Sequence, residues 1–295
     1  MDELRVGDPW HLSTDVGPVI DAEARDGIDS YTEANAARVL HRVWAPRKGH
    51  FIAPVLMKVN GIEEMEREIF GPVLHVATFR ADRLEQVIAD INARGYGLTF
   101  GLHTRIDSRV QEVTEAIHAG NLYVNRNQIG AVVGSQPFGG EGLSGTGPKA
   151  GGPFYLPRFF APAPVPAGTE WERDADMGAL ARRPAEARAP IAERMMPGPT
   201  GELNRLVVIS RPPLLCLGPG PKAAAAQAEA VRALGGRALV ADGRLAPDAL
   251  TEITGISGVI WWGGADLGRA YARALAARQG PILPLICAAP DQAHV

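Results

Sequence analysis

Cysteine is nearly absent: only Cys216 and Cys287 occur in 295 residues, and both sit in apolar runs, Leu-Leu-Cys-Leu and Leu-Ile-Cys-Ala. Two such residues build neither a disulfide framework nor a zinc cluster. An apolar setting also keeps a thiol protonated and unreactive, so both read as small buried hydrophobes. Long hydrophobic runs are missing too. No apolar window of roughly 18 residues is available for a membrane span. The opening Met-Asp-Glu-Leu-Arg lacks the apolar core of a signal peptide, so the expected localisation is cytoplasmic. Neither charge sign dominates: 30 basic against 33 acidic side chains leave a net charge of −3, with no block of Lys or Arg. That balance argues against nucleic acid or an anionic membrane as partner.

What is present describes a globular protein. The chain is 46% hydrophobic and 21% charged, and long enough for two domains with real cores. Residues 1–160 alternate helix-like and strand-like segments. A helix is expected over 21–38 and a strand over 73–79. Asp82 is expected to cap a helix running to Asn92, whose apolar positions Leu84, Val87, Ile88 and Ile91 follow the helical period. A strand over 99–103, a helix from Asp107 to Gly120 and a strand over 121–125 complete an α/β layer with a largely parallel sheet. Residues 161–200 are rich in Pro and Ala and lack periodic apolar positions, which predicts a connector draped over a surface. A second α/β unit follows, with strands near 214–217, 237–241, 258–262 and 282–287. Its helices are expected over 222–234 and 267–278.

The run 130–148 carries the most information. Seven of its nineteen residues are glycine, and it follows the strand-like Leu122-Tyr123-Val124. Glycine allows positive φ and close approach of backbone to another molecule. Such a loop offers main-chain N–H groups to an anionic or carbonyl-bearing ligand. A surface linker is the alternative, but apolar anchors at Val132, Val133, Phe138 and Leu143 are not what a flexible linker needs. A second glycine motif, Gly218-Pro-Gly220-Pro-Lys-Ala223, fits the dinucleotide fingerprint, with Asp242 ending the next strand where an acid would hold a ribose. Pro219 and Pro221 bring no N–H to such a site, which favours a structural turn over a nucleotide loop.

Glu68-Ile-Phe70-Gly71-Pro72 resembles the Glu-x-Phe-Gly-Pro motif of aldehyde dehydrogenases, and Pro137-Phe138-Gly139-Gly140 their Pro-Phe-Gly-Gly loop. The longer strings at 123–134 and 140–153 are similar to the L-glutamate γ-semialdehyde dehydrogenase half of the bifunctional proline utilization A family. Pro197-Gly-Pro-Thr-Gly-Glu202 and residues 280–286 resemble that family's later region. The resemblance implies part of an aldehyde dehydrogenase catalytic domain over 1–160 and a connector over 161–200. A Rossmann-like, non-catalytic accessory domain, incomplete relative to the family's, is implied over 201–295. The implied activity is NAD-dependent oxidation of L-glutamate γ-semialdehyde (1-pyrroline-5-carboxylate) to L-glutamate in proline catabolism. Glu68 would then accept hydrogen bonds from the nicotinamide ribose hydroxyls, and Phe70 would pack beside the nicotinamide. By itself Glu68 also reads as a solvated acid among Glu63, Glu64 and Glu66. The amides of Gly130 and Ala131 would anchor the substrate α-carboxylate. Phe138 would line the aldehyde pocket, ordinary core packing being its alternative. Asn125, Gly145 and Gly147 are expected to shape the loop.

The departure from the family is as informative. Its nucleophilic cysteine, its oxyanion asparagine and its NAD-holding Rossmann domain all lie upstream of a Val-Gly-Asp-Pro segment. Here that segment is Val6-Gly7-Asp8-Pro9. No catalytic residue is therefore expected in this chain, nor is a metal site. The FAD-dependent proline dehydrogenase half is missing as well. The resemblance implies a C-terminal piece of a longer, homo-oligomeric polypeptide, inactive alone and exposing apolar surface. A non-catalytic module that caps a separate enzyme, an NAD-binding protein using 218–223, and a fragment of a different aldehyde dehydrogenase are the alternatives.

Overall fold

The computed structural model describes residues 1–159, 170–181 and 190–287. The chain divides into two compact units, Met1–Arg94 and Gly95–Val295. In the first unit, α1 (Ala22–Ala34) starts where the Asp21 carboxylate accepts from Ala24 N at 2.8 Å. The helix stops short of the expected Arg38. Asn35 gives both its backbone and its side-chain N–H to the Tyr31 carbonyl, at 3.2 and 2.9 Å, and so closes the last turn. The chain then leaves through a short 3-10 turn into β1 (Val39–Arg42). Together with β2 (Val55–Lys58) and β3 (Val73–Val76) it forms a three-stranded sheet, β1-β2 antiparallel and β2-β3 parallel. β1 and β2 carry no clean alternation and escape a reading of the sequence. β3 ends at Val76 rather than Phe79, because its partner β2 ends at Lys58.

Val55 and Met57 are buried on one face of this sheet, while Leu40 and Leu74 are exposed on β1 and β3. α2 (Leu84–Ala93) presents its expected stripe, with Ile88 buried and Leu84, Val87 and Ile91 half-buried. Its expected cap is corrected. Asp82 lies in the preceding 3-10 turn, and its carboxylate accepts two hydrogen bonds from the Arg80 guanidinium, both at 3.0 Å. A fork-shaped donor takes the oxygens that a helix N–H would have used.

The second unit opens with β4 (Tyr96–Gly97) and β5 (Thr99–Leu102), followed by α3 (Asp107–Ala116) and β6 (Asn121–Val124). β5 and β6 pair in parallel, as expected for strand, helix, strand, while β4 pairs antiparallel with β7 (Glu141–Gly142). The first 160 residues thus carry short separate sheets rather than one continuous parallel layer.

Part of the stretch expected as a bare connector is structured. Short α4 (Met177–Ala181) buries Leu180, and Trp171 packs on the same core. β8 (Pro190–Met196) and β9 (Asn204–Ile209) form an antiparallel hairpin. The remainder of that stretch, 161–169 and 182–189, lies outside the described residues.

The last unit of structure is a four-stranded parallel sheet of β10 (Leu214–Cys216), β11 (Ala238–Val240), β12 (Gly258–Ile260) and β13 (Leu285–Ile286). Its order is β11-β10-β12-β13, with α5 (Gly220–Ala233) and α6 (Ala265–Ala276) as crossovers. Successive strand residues point to opposite faces. Leu215, Leu217, Leu239, Ala241, Val259 and Trp261 therefore join one cluster with Tyr271 and Leu275 of α6. Cys216, Ile260 and Trp262 join the other with Ala228 and Val231 of α5. Fully buried Ala224 and Ala228 let α5 approach the sheet closely.

Candidate functional site

The sequence-predicted residues fall into two groups, one in each unit. In the first unit, Glu68 and Phe70 lie on an irregular segment between the 3-10 turn Ile62–Glu64 and β3. Gly71 N donates to Ile69 O and Val73 N to Gly71 O, both at 2.8 Å, which folds the segment tightly. Gly71 also faces α1, where a Cβ would collide with the Ile28 side chain. Phe70 exposes 84% of its surface. Glu68 is exposed, and among the described residues its carboxylate has no hydrogen-bond or ion-pair partner. A free carboxylate can accept from both hydroxyls of a cis-diol, and a bare ring can cover a flat heteroaromatic.

In the second unit, the glycine-rich loop grows out of β6. Asn125 takes φ 57°, and its carboxamide accepts from Thr104 N and donates to Thr104 O, both at 2.9 Å. It thus extends the β5–β6 pairing by one side chain while the backbone turns away. Buried Tyr123 donates its hydroxyl to Gly130 O at 2.9 Å. In a trans peptide the carbonyl and the next N–H point oppositely, so holding Gly130 O inward aims Ala131 N–H outward. Gly130 itself has φ 69°, a region that glycine enters at little cost. Gly130 is exposed, and among the described residues neither its N–H nor that of Ala131 is donated to another protein group. Beyond them Gln136 folds back, its N donating to Val132 O at 2.8 Å and its Oε1 accepting from Val132 N at 3.1 Å.

Phe138 is half-buried and pairs with Ala150 across an isolated bridge of 3.0 and 2.8 Å. Two residues that sequence reasoning missed hold this part. Asn121, nearly buried, donates Nδ2 to Pro137 O at 2.9 Å and accepts from Gly139 N at 3.1 Å. Lys149 Nζ donates to Gly120 O, Asn121 Oδ1 and Gly139 O at 2.5, 3.0 and 2.7 Å. Burial lowers its pKa to about 8, against the charge of Glu141, which works the other way. Gly120 passes so close to Gly139 that a Cβ there would overlap its carbonyl oxygen. Their only sequence signal was polarity inside an otherwise glycine and apolar stretch.

The other candidates offer no activated group. Cys216 is fully buried as expected, and burial pushes its thiol up to about 12. Cys287 is exposed rather than buried, since it lies just past the two-residue end of its strand, and its thiol is also raised by desolvation. Among the described residues no three His, Cys, Asp or Glu side chains gather as a metal site. At the dinucleotide-like motif, Gly218, Pro219 and Gly220 are buried. The Gly218 N–H donates to Gln227 Oε1 at 2.9 Å, and Gln227 Nε2 returns a bond to Gly218 O at 2.8 Å. Asp242 accepts from Asp176 N at 3.0 Å and pairs with Arg173 at 3.4 Å. The Gly218 N–H is satisfied from within, as in a structural turn.

The comparisons agree with the motifs. Bifunctional protein PutA of Salmonella typhimurium is 38% identical over 340 aligned positions, covering 96% of this chain and 26% of that protein. A 1-pyrroline-5-carboxylate dehydrogenase of a Geobacillus strain is 42% identical over 159 positions, or 52% of this chain and 30% of the relative. A crystal structure of a mutant Bradyrhizobium japonicum proline utilization A superposes with a TM-score of 0.51 at 48% identity. It covers 52% of this chain and 16% of that one. The chain thus spans about a quarter of the length of the bifunctional relative it matches. Among the described residues no helix is long and apolar enough to cross a membrane. The family model for aldehyde dehydrogenases matches residues 1–162, more than half of the sequence, and the chain belongs to the aldehyde dehydrogenase family.

Proposed function

We propose that this chain supplies the carboxylate anchor and part of the nicotinamide contact of an L-glutamate γ-semialdehyde dehydrogenase acting in proline catabolism with NAD. The observation that carries the reading is the pair of undonated N–H groups at Gly130 and Ala131, the second aimed outward by the hydrogen bond from the Tyr123 hydroxyl to Gly130 O. Two adjacent free N–H donors suit a carboxylate, and a semialdehyde that bears an α-carboxylate offers one. Phe138, farther along the same loop, would exclude water from the aldehyde end. The free carboxylate of Glu68 and the bare ring of Phe70 fit a ribose diol and a nicotinamide face. NAD when bound would accept hydride; the residues here orient it and the substrate. Neither cysteine is activated for attack on an aldehyde, so the isolated chain is expected to be inactive.

The test uses binding rather than turnover. Titrating the purified chain with L-glutamate, the product carboxylate, should move the amide resonances of Gly130 and Ala131 and leave those of β10 in place. Absence of any shift at those two amides at saturating glutamate defeats the anchor. NADH formation from the semialdehyde by the chain alone would contradict the expected inactivity. A second reading, a capping or interaction module for a separate enzyme chain, draws on the exposed Leu40 and Leu74 of the first sheet. Co-purification with an intact dehydrogenase supports it, and a chain that stays monomeric beside that enzyme counts against it.

A further inference from the structure

We infer that Glu202, in the turn between β8 and β9, is a positioning residue that latches this hairpin onto the carboxylate-anchoring loop and keeps the loop in its binding shape. Its Oε1 accepts from Arg126 Nη1 at 3.0 Å and from Gln136 Nε2 at 2.8 Å. Gln136 Nε2 also reaches Asn204 Oδ1, at the start of β9, at 3.2 Å. Each partner passes the constraint on. Gln136 Oε1 holds Val132 N, while the Arg126 guanidinium lies 5.3 Å over the ring of Tyr123, whose hydroxyl holds Gly130 O. One carboxylate thereby ties down the chain on both sides of Gly130 and Ala131 from 66 and 76 residues away in sequence.

The turn that carries Glu202 is itself fixed. Glu202 N donates to Pro199 O at 3.1 Å, Asn204 Nδ2 donates to Pro197 O at 3.1 Å, and Gly201 takes φ 85°. The Arg126 and Glu202 side chains are 29% and 28% exposed, so this charge-assisted pair is only partly screened. A glycine-rich loop left free must be ordered each time it binds, and that entropy is subtracted from affinity. Ordering the loop beforehand with a distant carboxylate removes that cost. The consequence for substrate rests on the anchor reading above; the latch itself rests on the contacts.

Hydrogen–deuterium exchange on the purified 295-residue chain reads the latch directly. Glu202→Ala should speed exchange across 126–136 about tenfold while β10 and β12 keep their wild-type rates. Glu202→Gln, which retains an oxygen for both donors, should restore most of the protection. Unchanged exchange at 126–136 in Glu202→Ala overturns the proposal. Should that variant loosen β10 and β12 as well, Gln136→Leu decides from the loop side. Protection lost at the amides of residues 135 and 136, which donate to Val132 O, then supports the latch, and wild-type protection there overturns it. In a polypeptide that joins this chain to a nucleophile-bearing upstream segment, Glu202→Ala should raise the semialdehyde KM about tenfold and hold kcat within about twofold. A fall in kcat at unchanged KM overturns the positioning role. If that polypeptide does not oxidise the semialdehyde at all, the activity reading fails and the exchange result still judges the latch.

Discussion

At the scale of single residues, glycines and cysteines give the sharpest expectations. Gly120 and Gly130 belong to one stretch but are glycine for different reasons. A Cβ at Gly120 would overlap the Gly139 carbonyl, whereas a Cβ at Gly130 meets nothing within 4 Å. Gly120→Ala must push backbone against backbone and should cost about 3 kcal/mol, the upper end of overpacking. Gly130→Ala is opposed only by its φ of 69° and should cost about 1 kcal/mol. Urea midpoints for the two variants would rank them, and equal losses would contradict the packing argument. The thiols differ as plainly: Cys216 is buried and Cys287 exposed. Ellman's reagent should titrate one thiol in the native chain, slowly because the Cys287 pKa is raised, and the second only after denaturation.

Among elements, the loop clamps decide what the strands can present, and Lys149 is the strongest of them. Lys149→Met would leave Gly120 O, Asn121 Oδ1 and Gly139 O without their donor, at a cost of about 2 kcal/mol near neutral pH. The pH dependence has a definite sign. The folded pKa, about 8, lies below the ordinary 10.5, so between those values the unfolded chain binds more protons. Wild type should therefore gain stability relative to Lys149→Met as pH rises through that window. A difference in unfolding free energy that stays flat between pH 7 and 10 would count against burial as the cause. The clamps also mark where sequence reasoning stops. Period and punctuation gave α1, α2, α3, the parallel β5–β6 pair and all four strands of the last sheet, because each buries a face with its own repeat. The Glu-x-Phe-Gly-Pro and glycine-run motifs located the candidate site residues. Nothing local tells that Asn121 and Lys149 meet under Gly139, or that Glu202 meets Gln136, since those contacts depend on how distant segments fold together. Asp82 failed as a cap for a similar reason: Arg80, two residues away, competes for its carboxylate, and propensity does not weigh that competition.

On the scale of the whole second unit, the segment before the hairpin acts as part of the parallel-sheet fold. Trp171 donates its indole N–H to Leu217 O at 2.9 Å, at the carboxyl end of β10. Asp174 pairs with Arg244 at 3.0 Å and bridges to it through the backbone. That end of β10, beside the crossover to α5, is where an open α/β sheet would receive a dinucleotide. Here it is covered by the chain's own indole, while Gln227 takes the Gly218 N–H from below. NAD or ADP added to the chain should leave the amide resonances of Gly218 and Trp262 unmoved. Trp171→Ala removes the cover and should cost about 3 kcal/mol in urea unfolding, as truncation of a core-packed tryptophan does. The two results together discriminate between covers. If Trp171→Ala binds NAD at Gly218 while wild type does not, the indole alone keeps the crevice shut. If neither binds, the Gln227 amide and the two loop prolines have already removed the donors that a pyrophosphate needs, and the crevice is structural whatever lies over it.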